Sequence, residues 1–482
     1  MTLTAFPLAV QVLLVAAASV VLVPLGAWLV VRAWHRPSLA VAGMILLTAV
    51  PWRTGDEGQA LLHVTLADVA SVVLVGVVAG RVLWQPSSSD ERRLASWVML
   101  PLLGLLLAST VSTFFATDPL ASFSGAVRQT QMLVAVPVAA YLSYRRRADV
   151  RLVLAAVLTL GVVQGLIGIT QYVTGTGASF GGEDVRAVGT FGAYNIMALP
   201  GVVAAALMVC VAIVLVHRGA PRIWAVVGMT VLVPALGMSL SRGYWVATAF
   251  GVLAVVAIVD RRKAALLVLA GVFGLTGLLA MAAGGATNPV VDRLVGTTGI
   301  VAEPDQSVQD RYALWAAARG MSEDNPVTGV GIKNFADYRD SYVDFNFSGV
   351  SDIADAQGGF RQVSLLTPHN LYLLVLSEQG LIGAVAYLAF FASLGLAAAS
   401  RVARELRDDN EPLVQVLGLA AVGLLLTYLT GAIYGDPGGA VGLMDSALVF
   451  GGLLFLASGS NPDDTKEPGT TDELCANTKA TA

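Results

Sequence analysis

Residues 196–217 read IMALPGVVAAALMVCVAIVLVH, a stretch with no charged side chain before its closing histidine. A hydrocarbon core about 30 Å thick is crossed by roughly 20 apolar residues in a helix, and this run is long enough. Inside lipid every backbone N–H and C=O must be bonded within its own segment, so such a run is helical. Comparable runs lie near 8–31, 37–51, 66–84, 94–115, 127–144, 149–171, 222–240, 243–260, 264–284, 368–400, 413–434 and 438–458. The second is short. The reading is therefore all-α: a polytopic membrane bundle of about 12–13 transmembrane helices filling residues 1–458.

Composition agrees. Hydrophobic residues make up 56% of 482 and charged residues 13%, about half the charge of an ordinary soluble domain; the mean hydropathy is +0.72. A net charge of -4 does not suit a nucleic-acid partner. Cys210 lies in an apolar run and Cys475 in the polar tail, and there are four His, so neither a disulfide nor a zinc cluster is expected. No metal and no cofactor are anticipated. The N-terminus lacks a basic region ahead of a long apolar stretch and reads as a retained first span rather than a signal peptide.

Orientation follows from where basic residues collect. They cluster at 32–36, 81–93, 145–151, 218–222, 261–263 and 401–407, in connections that alternate with less basic ones. The basic side is expected to face the cytoplasm of a bacterial plasma membrane, with the N-terminus outside and a disordered tail, 459–482, inside. The opposite side then carries a Gly-rich loop at 172–195 and a long loop at 285–367. So long a connection is usually functional. A helix is expected from Ser307 to Met321, with Tyr312, Trp315 and Ala318 on one face and Arg311 and Arg319 four residues either side of Trp315. The turn-forming segment Asn325-Pro326-Val327-Thr328-Gly329-Val330-Gly331 should end it.

The candidate residues gather on that outer side. In Thr367-Pro368-His369-Asn370, Pro at the first helical position puts His369 in the first turn of a span. The helix dipole there disfavours imidazolium, and a neutral ring is what a general base needs. A His that merely bonds its neighbours fits the position equally. Ser239-Leu240-Ser241-Arg242-Gly243-Tyr244 places Arg242 at the outer end of a span, either facing a cavity or snorkelling to the surface. Arg311 and Arg186 are the other candidates. Guanidinium groups hold phosphate oxygens through paired planar donors, so several Arg with one His suit an anionic leaving group and a hydroxyl nucleophile. Gly175, Gly177 and Gly181 lack the spacing and the βαβ setting of a nucleotide loop. Glu378 and Asp445, inside late spans, read as buried polar anchors or relay groups, with Glu378 alternatively orienting His369.

At these residues the chain resembles the O-antigen ligase family, which also holds O-antigen and exopolysaccharide polymerases. The resemblance covers roughly 94–455. It is sharpest at Ser241-Arg242-Gly243, at Arg311-Tyr312-Ala313-Leu314-Trp315 leading to Asn325-Pro326 and Gly329-Val330-Gly331, and at His369-Asn370 followed by Leu371, Glu378 and Gly380. It implies metal-independent, inverting glycosyl transfer from a polyprenyl-pyrophosphate-linked glycan to a glycan, lipid or protein acceptor in cell-surface polysaccharide biosynthesis. Carried over by motif, Arg242 and Arg311 would hold the pyrophosphate and His369 would activate or position the acceptor hydroxyl. Arg186 corresponds to an Arg that precedes a Gly-Thr pair. Ser241, Tyr244, Trp315, Arg319, Asn370 and Glu378 are expected to bind substrate beside them. The external N-terminus and odd span count depart from the twelve spans usual for such ligases.

Ligase and polymerase share donor chemistry and differ in acceptor. Of 29 basic residues only four are Lys, a bias that suits a GC-rich actinobacterium without lipopolysaccharide and leans toward a polymerase. From another class, a secondary transporter of a small anion such as bicarbonate is the alternative. It would place polar groups and broken helices at the midplane, often with inverted repeats, whereas the candidates here cluster at one surface and no repeat is evident. A non-enzymatic scaffold has no need of them.

Overall fold

The computed structural model describes residues 28–50, 64–84, 94–180, 184–271, 306–343, 347–355, 359–408, 411–436, 439–459 and 462. Most of the expected first span, the later half of 264–284 and almost all of the tail lie outside these residues. The protein is a bundle of apolar helices. Among the described residues eight are long and apolar enough to cross a membrane.

In chain order the helices are α1 Ser38–Leu47, α2 Leu66–Trp84, α3 Ser96–Phe114, α4 Pro119–Thr130, α5 Val136–Ser143, α6 Arg147–Thr174, α7 Ala198–Val216, α8 Ala220–Met238 and α9 Arg242–Val259. After them come α10 Gln306–Asp324, α11 Phe335–Arg339, α12 Leu371–Asp408, α13 Pro412–Gly431, α14 Gly439–Asp445 and α15 Gly451–Ala457. The uncharged run at 196–217 forms α7, the centre of the bundle, buried from Leu199 to Ala212 with α6, α8, α9 and α13 around it. A helix without charge on any face can be enclosed on every side. The short second run is α1, whose ten residues rise about 15 Å, roughly half a hydrocarbon core. The run at 127–144 is divided by a π-helical turn, Gln131–Ala135, between α4 and α5.

Basic connections far apart in sequence meet at one end of the bundle. Arg36 Nε pairs with Asp149 Oδ1 at 2.9 Å, Arg81 donates to the Trp34 and His35 carbonyls, and Arg147 Nη2 pairs with Glu411 at 2.5 Å. Arg401 pairs with Glu405 and donates to the Gly459 carbonyl. Asp149 also accepts from Arg146 N and Ser38 Oγ.

The opposite end carries the large loop, which has its own apolar core of Leu314, Ala317, Ala318, Met321, Val330, Phe335 and Leu365. The buried face of α10 is thus Leu314, Ala317, Ala318 and Met321. Tyr312 and Trp315 share a face as expected, their rings edge-on, but the buried stripe runs beside it and Tyr312 itself is exposed. The loop also forms a hairpin, β2 Val350–Asp355 and β3 Gly359–Ser364. Strand β2 pairs antiparallel with β1, Ala178–Phe180, in the register Ala178↔Asp355 and Phe180↔Ile353, so a small sheet joins the two outer loops.

Helix α12 is broken at Gly380, whose φ is 59° and ψ -158°. The loop segment after α10 repairs the break. Val330 N donates to Ser377 O, Gly331 N to Glu378 O, Leu381 N to Pro326 O and Ile382 N to Val327 O. Backbone groups freed inside a bundle need such partners. The two backbones lie so close that a Cβ on Gly329 would stand 2.3 Å from Glu378 C, and one on Gly380 2.4 Å from Val327 C. Both glycines also have positive φ. The paired motifs of the sequence are therefore the two halves of one interlock.

Candidate functional site

Four segments converge on a cavity of about 550 Å³ at the loop end of the bundle. Each is positioned by hydrogen bonds that the sequence accounts for.

Arg186 is buried, 5% exposed. Its backbone pairs both ways with Ala178, and Ala187 N donates to Met238 O at the end of α8. Two glutamines seven residues apart on α6 clamp the next turn, residues 188–190. Gln171 Oε1 accepts from Val188 N and Gly189 N, while Gln164 Oε1 accepts from Thr190 N. A Cβ on Gly177 would fall 2.0 Å from the Arg186 carbonyl oxygen, so this Gly serves close backbone approach rather than a nucleotide.

Arg242 opens α9 just after the break between α8 and α9, where Leu240 is buried with φ 51°. Trp245 Nε1 donates to Leu236 O across the break at 2.8 Å. The first amides of α9 have no intrahelical acceptor, and the helix dipole adds positive character to the end that carries Arg242. Ser241 and Tyr244 line the cavity on either side of it, and Arg311 enters from α10.

His369 is displaced from its expected position. The first-turn reading is corrected: His369 has φ 50° and precedes α12, which starts at Leu371. Asn370, not Thr367, caps the helix, its Oδ1 accepting from Leu373 N at 3.1 Å. Two bonds hold the His369 turn. Trp315 Nε1 donates to Pro368 O at 2.9 Å, and Leu371 N donates to Ala432 O at 2.9 Å, just after α13. The second brings up Asp436, whose Oδ1 stands 3.5 Å from His369 Nδ1. Three non-glycine residues among those described have positive φ, and two of them, Leu240 and His369, line this cavity. Backbone strain of this kind concentrates at functional sites.

Arg186, Ser241, Arg242, Tyr244, Arg311 and His369 thus share one cavity, and four expected substrate contacts do not. Trp315 supports the His369 turn, Asn370 caps α12, and Arg319 is exposed on the outer side of α10. Glu378 is buried at the α12 break, where its carboxylate accepts from Phe335 N at 3.2 Å. That bond and the kink, rather than a bond to His369, account for it. Beside it Lys333 Nζ donates to Ser124 Oγ at 3.1 Å, and burial, then the nearby Arg128, pushes the ammonium below its ordinary range.

The sequence reading missed Asp436. Its signal was present: it is the only charged residue between Pro412 and Met444, in an otherwise apolar and Gly-rich stretch. Among the described residues no three His, Cys, Asp or Glu gather in a metal-ligating group. The cavity instead offers guanidinium groups, helix amides and a His–Asp pair, a set chemically able to bind a phosphorylated ligand and to move a proton.

A multi-pass membrane helical bundle with an arginine-lined cavity under a structured loop is the class that fold and site define. Residues 234–388, 155 of the 482, match the family model described as O-antigen ligase. The match supports an O-antigen ligase- or polymerase-like family and takes in Arg242, Arg311, His369 and the α12 interlock; Arg186 and Asp436 lie outside it. No curated protein matches the chain.

Proposed function

We propose that this protein is a metal-independent, inverting glycosyltransferase of the O-antigen ligase or polymerase type. It takes a glycan from a polyprenyl pyrophosphate and transfers it to an acceptor hydroxyl at the outer face of a bacterial cytoplasmic membrane. The observation that carries this reading is the convergence of Arg186, Arg242, Arg311 and His369, from four separate segments, on one cavity.

With Nδ1–H directed at Asp436, His369 has Nε2 left to accept the acceptor's hydroxyl proton. The freed oxygen attacks the anomeric carbon from the face opposite the pyrophosphate, and the bond from that carbon to the phosphate oxygen breaks. The electron pair leaves on the pyrophosphate, where Arg186, Arg242, Arg311 and the α9 amides meet the growing negative charge. Removing one such donor typically costs about 10²–10³ in rate. The lipid tail stays in the bilayer, which explains a site built among spans. The basic end of the bundle faces the cytoplasm on this reading, and the acceptor is a second lipid-linked glycan, a lipid or a protein.

The test is transfer by purified protein from a polyprenyl-pyrophosphate oligosaccharide with EDTA present, read by gel and mass spectrometry. A ladder identifies a polymerase, and a single addition to a supplied acceptor a ligase. No product from any donor, with anion flux in proteoliposomes instead, overturns the proposal in favour of transport.

A further inference from the structure

The cavity has a second pole that the transfer chemistry does not use. Asp445 ends α14, immediately before the π-helical turn Ser446–Phe450, and lines the cavity with Tyr244 of α9 and Thr427 and Tyr428 of α13. Twelve residues of helix separate it from Ala457 at the basic end, about 18 Å at 1.5 Å per residue. It therefore stands more than halfway into a core of about 30 Å.

Among the described residues the buried carboxylates all have partners. Asp68 is bound by Arg128, Asp149 by Arg36 and Ser38, Glu378 by Phe335 N and Glu405 by Arg401. Asp445 makes no hydrogen bond or ion pair with any described residue. An ionisable side chain at such depth is costly and marks a functional position by default; partly exposed to the cavity and without a partner among the described residues, Asp445 is open to a ligand.

The chemistry of that ligand is constrained. A carboxyl group offers phosphate oxygens none of the paired planar donors of a guanidinium, so Asp445 does not serve the pyrophosphate that the guanidinium groups take. Its neighbours in the lining are hydroxyl groups and aromatic rings rather than further metal ligands. A carboxyl group that lines the cavity with two tyrosines suits a neutral, hydroxyl-rich ring: its oxygens take bonds from several hydroxyl donors, the stronger kind where the bond is charge-assisted. Tyr244 lies two residues beyond Arg242 on α9, so this pole adjoins the phosphate-binding one. We propose that Asp445, with Tyr244 and Tyr428, forms the subsite for the hydroxyl groups of the sugar joined directly to the pyrophosphate. The proposal rests on the glycosyl-transfer reading and names its donor subsite.

Full-length protein in nanodiscs is titrated with two probes, bare polyprenyl pyrophosphate and the same lipid carrying one N-acetylhexosamine. Wild type binds the sugar-bearing lipid at least tenfold more tightly. Asp445→Asn weakens that lipid by about 10- to 100-fold, the loss of a hydrogen bond to a charged group, and leaves the bare lipid unchanged. Tyr428→Phe, which keeps the ring and its packing, gives the same selective loss on a smaller scale and serves if Asp445→Asn does not insert. Equal weakening of both lipids, no weakening of either, or a wild type without preference overturns the subsite. Binding of neither lipid by wild type overturns the glycosyl-transfer reading itself, and the subsite with it.

Discussion

His369 takes its place from the bonds at Pro368 O and Leu371 N on either side of it, and under the proposed function Asp436 orients its ring. A general base typically contributes about 10²–10⁴ to rate, so His369→Ala in the membrane-inserted protein is expected to lose that factor. Asp436→Asn keeps the ring's neighbours but removes the negative charge facing Nδ1; it should lower kcat while leaving donor KM near its wild-type value. Arg242→Ala is expected to cost about 10²–10³. Arg242→Lys recovers only part, because an ammonium lacks the planar fork, and steady-state kinetics on the reconstituted protein separate the two. Trp315→Phe should also reduce activity although Trp315 does not line the cavity, since Pro368 O loses its donor. Arg186, Arg242, Arg311 and His369 were legible because charge stands out in a chain this apolar. Trp315 and Asn370 lie outside the cavity, Trp315 bonded to Pro368 O across 53 residues and Asn370 capping its own helix, and neither partner can be read from the residue type alone. Asp436 stands out by its charge too, but its pairing does not, because that depends on His369 being brought 3.5 Å from it.

Between elements, the α12 break is the most constrained feature. Gly380→Ala places a Cβ 2.4 Å from the Val327 backbone at φ 59°, and strain of that kind costs of order 1–3 kcal/mol before the interlock itself is disturbed. The variant should unfold at lower temperature in detergent than wild type and lose transfer. Gly43→Ala on α1, with open space around the glycine, is the matched control and should change neither. The spans were readable from apolar length alone, as was the extent of α10. The three-stranded sheet was not: residues 350–364 show no run of alternating apolar residues, and β2 is completed by β1, some 170 residues earlier. Nor does periodicity show that a turn-forming segment of the loop supplies the hydrogen bonds of a broken helix.

Across the whole molecule the account requires two chemically distinct ends. Arg36, Arg81, Arg147 and Arg401 join basic connections at one end, and the cavity with its roof of loop and sheet lies at the other. With Cys210 and Cys475 replaced by Ala, a thiol introduced by Asp352→Cys on β2 should react with an impermeant maleimide added to intact cells. One introduced by Arg404→Cys near the end of α12 should react only after permeabilisation, and the reverse pattern would turn the site to the cytoplasm. Whether this cavity breaks a glycosyl–pyrophosphate bond is measured on reconstituted protein. Polyprenyl-pyrophosphate glycan is supplied with acceptor and EDTA, and polyprenyl pyrophosphate released is counted against glycoside formed, with the anomeric configuration of the product read by NMR. The account predicts one pyrophosphate per inverted glycoside, and neither product from His369→Ala or Arg242→Ala above about 1% of wild type. A retained configuration, or undiminished turnover in those variants, would contradict it.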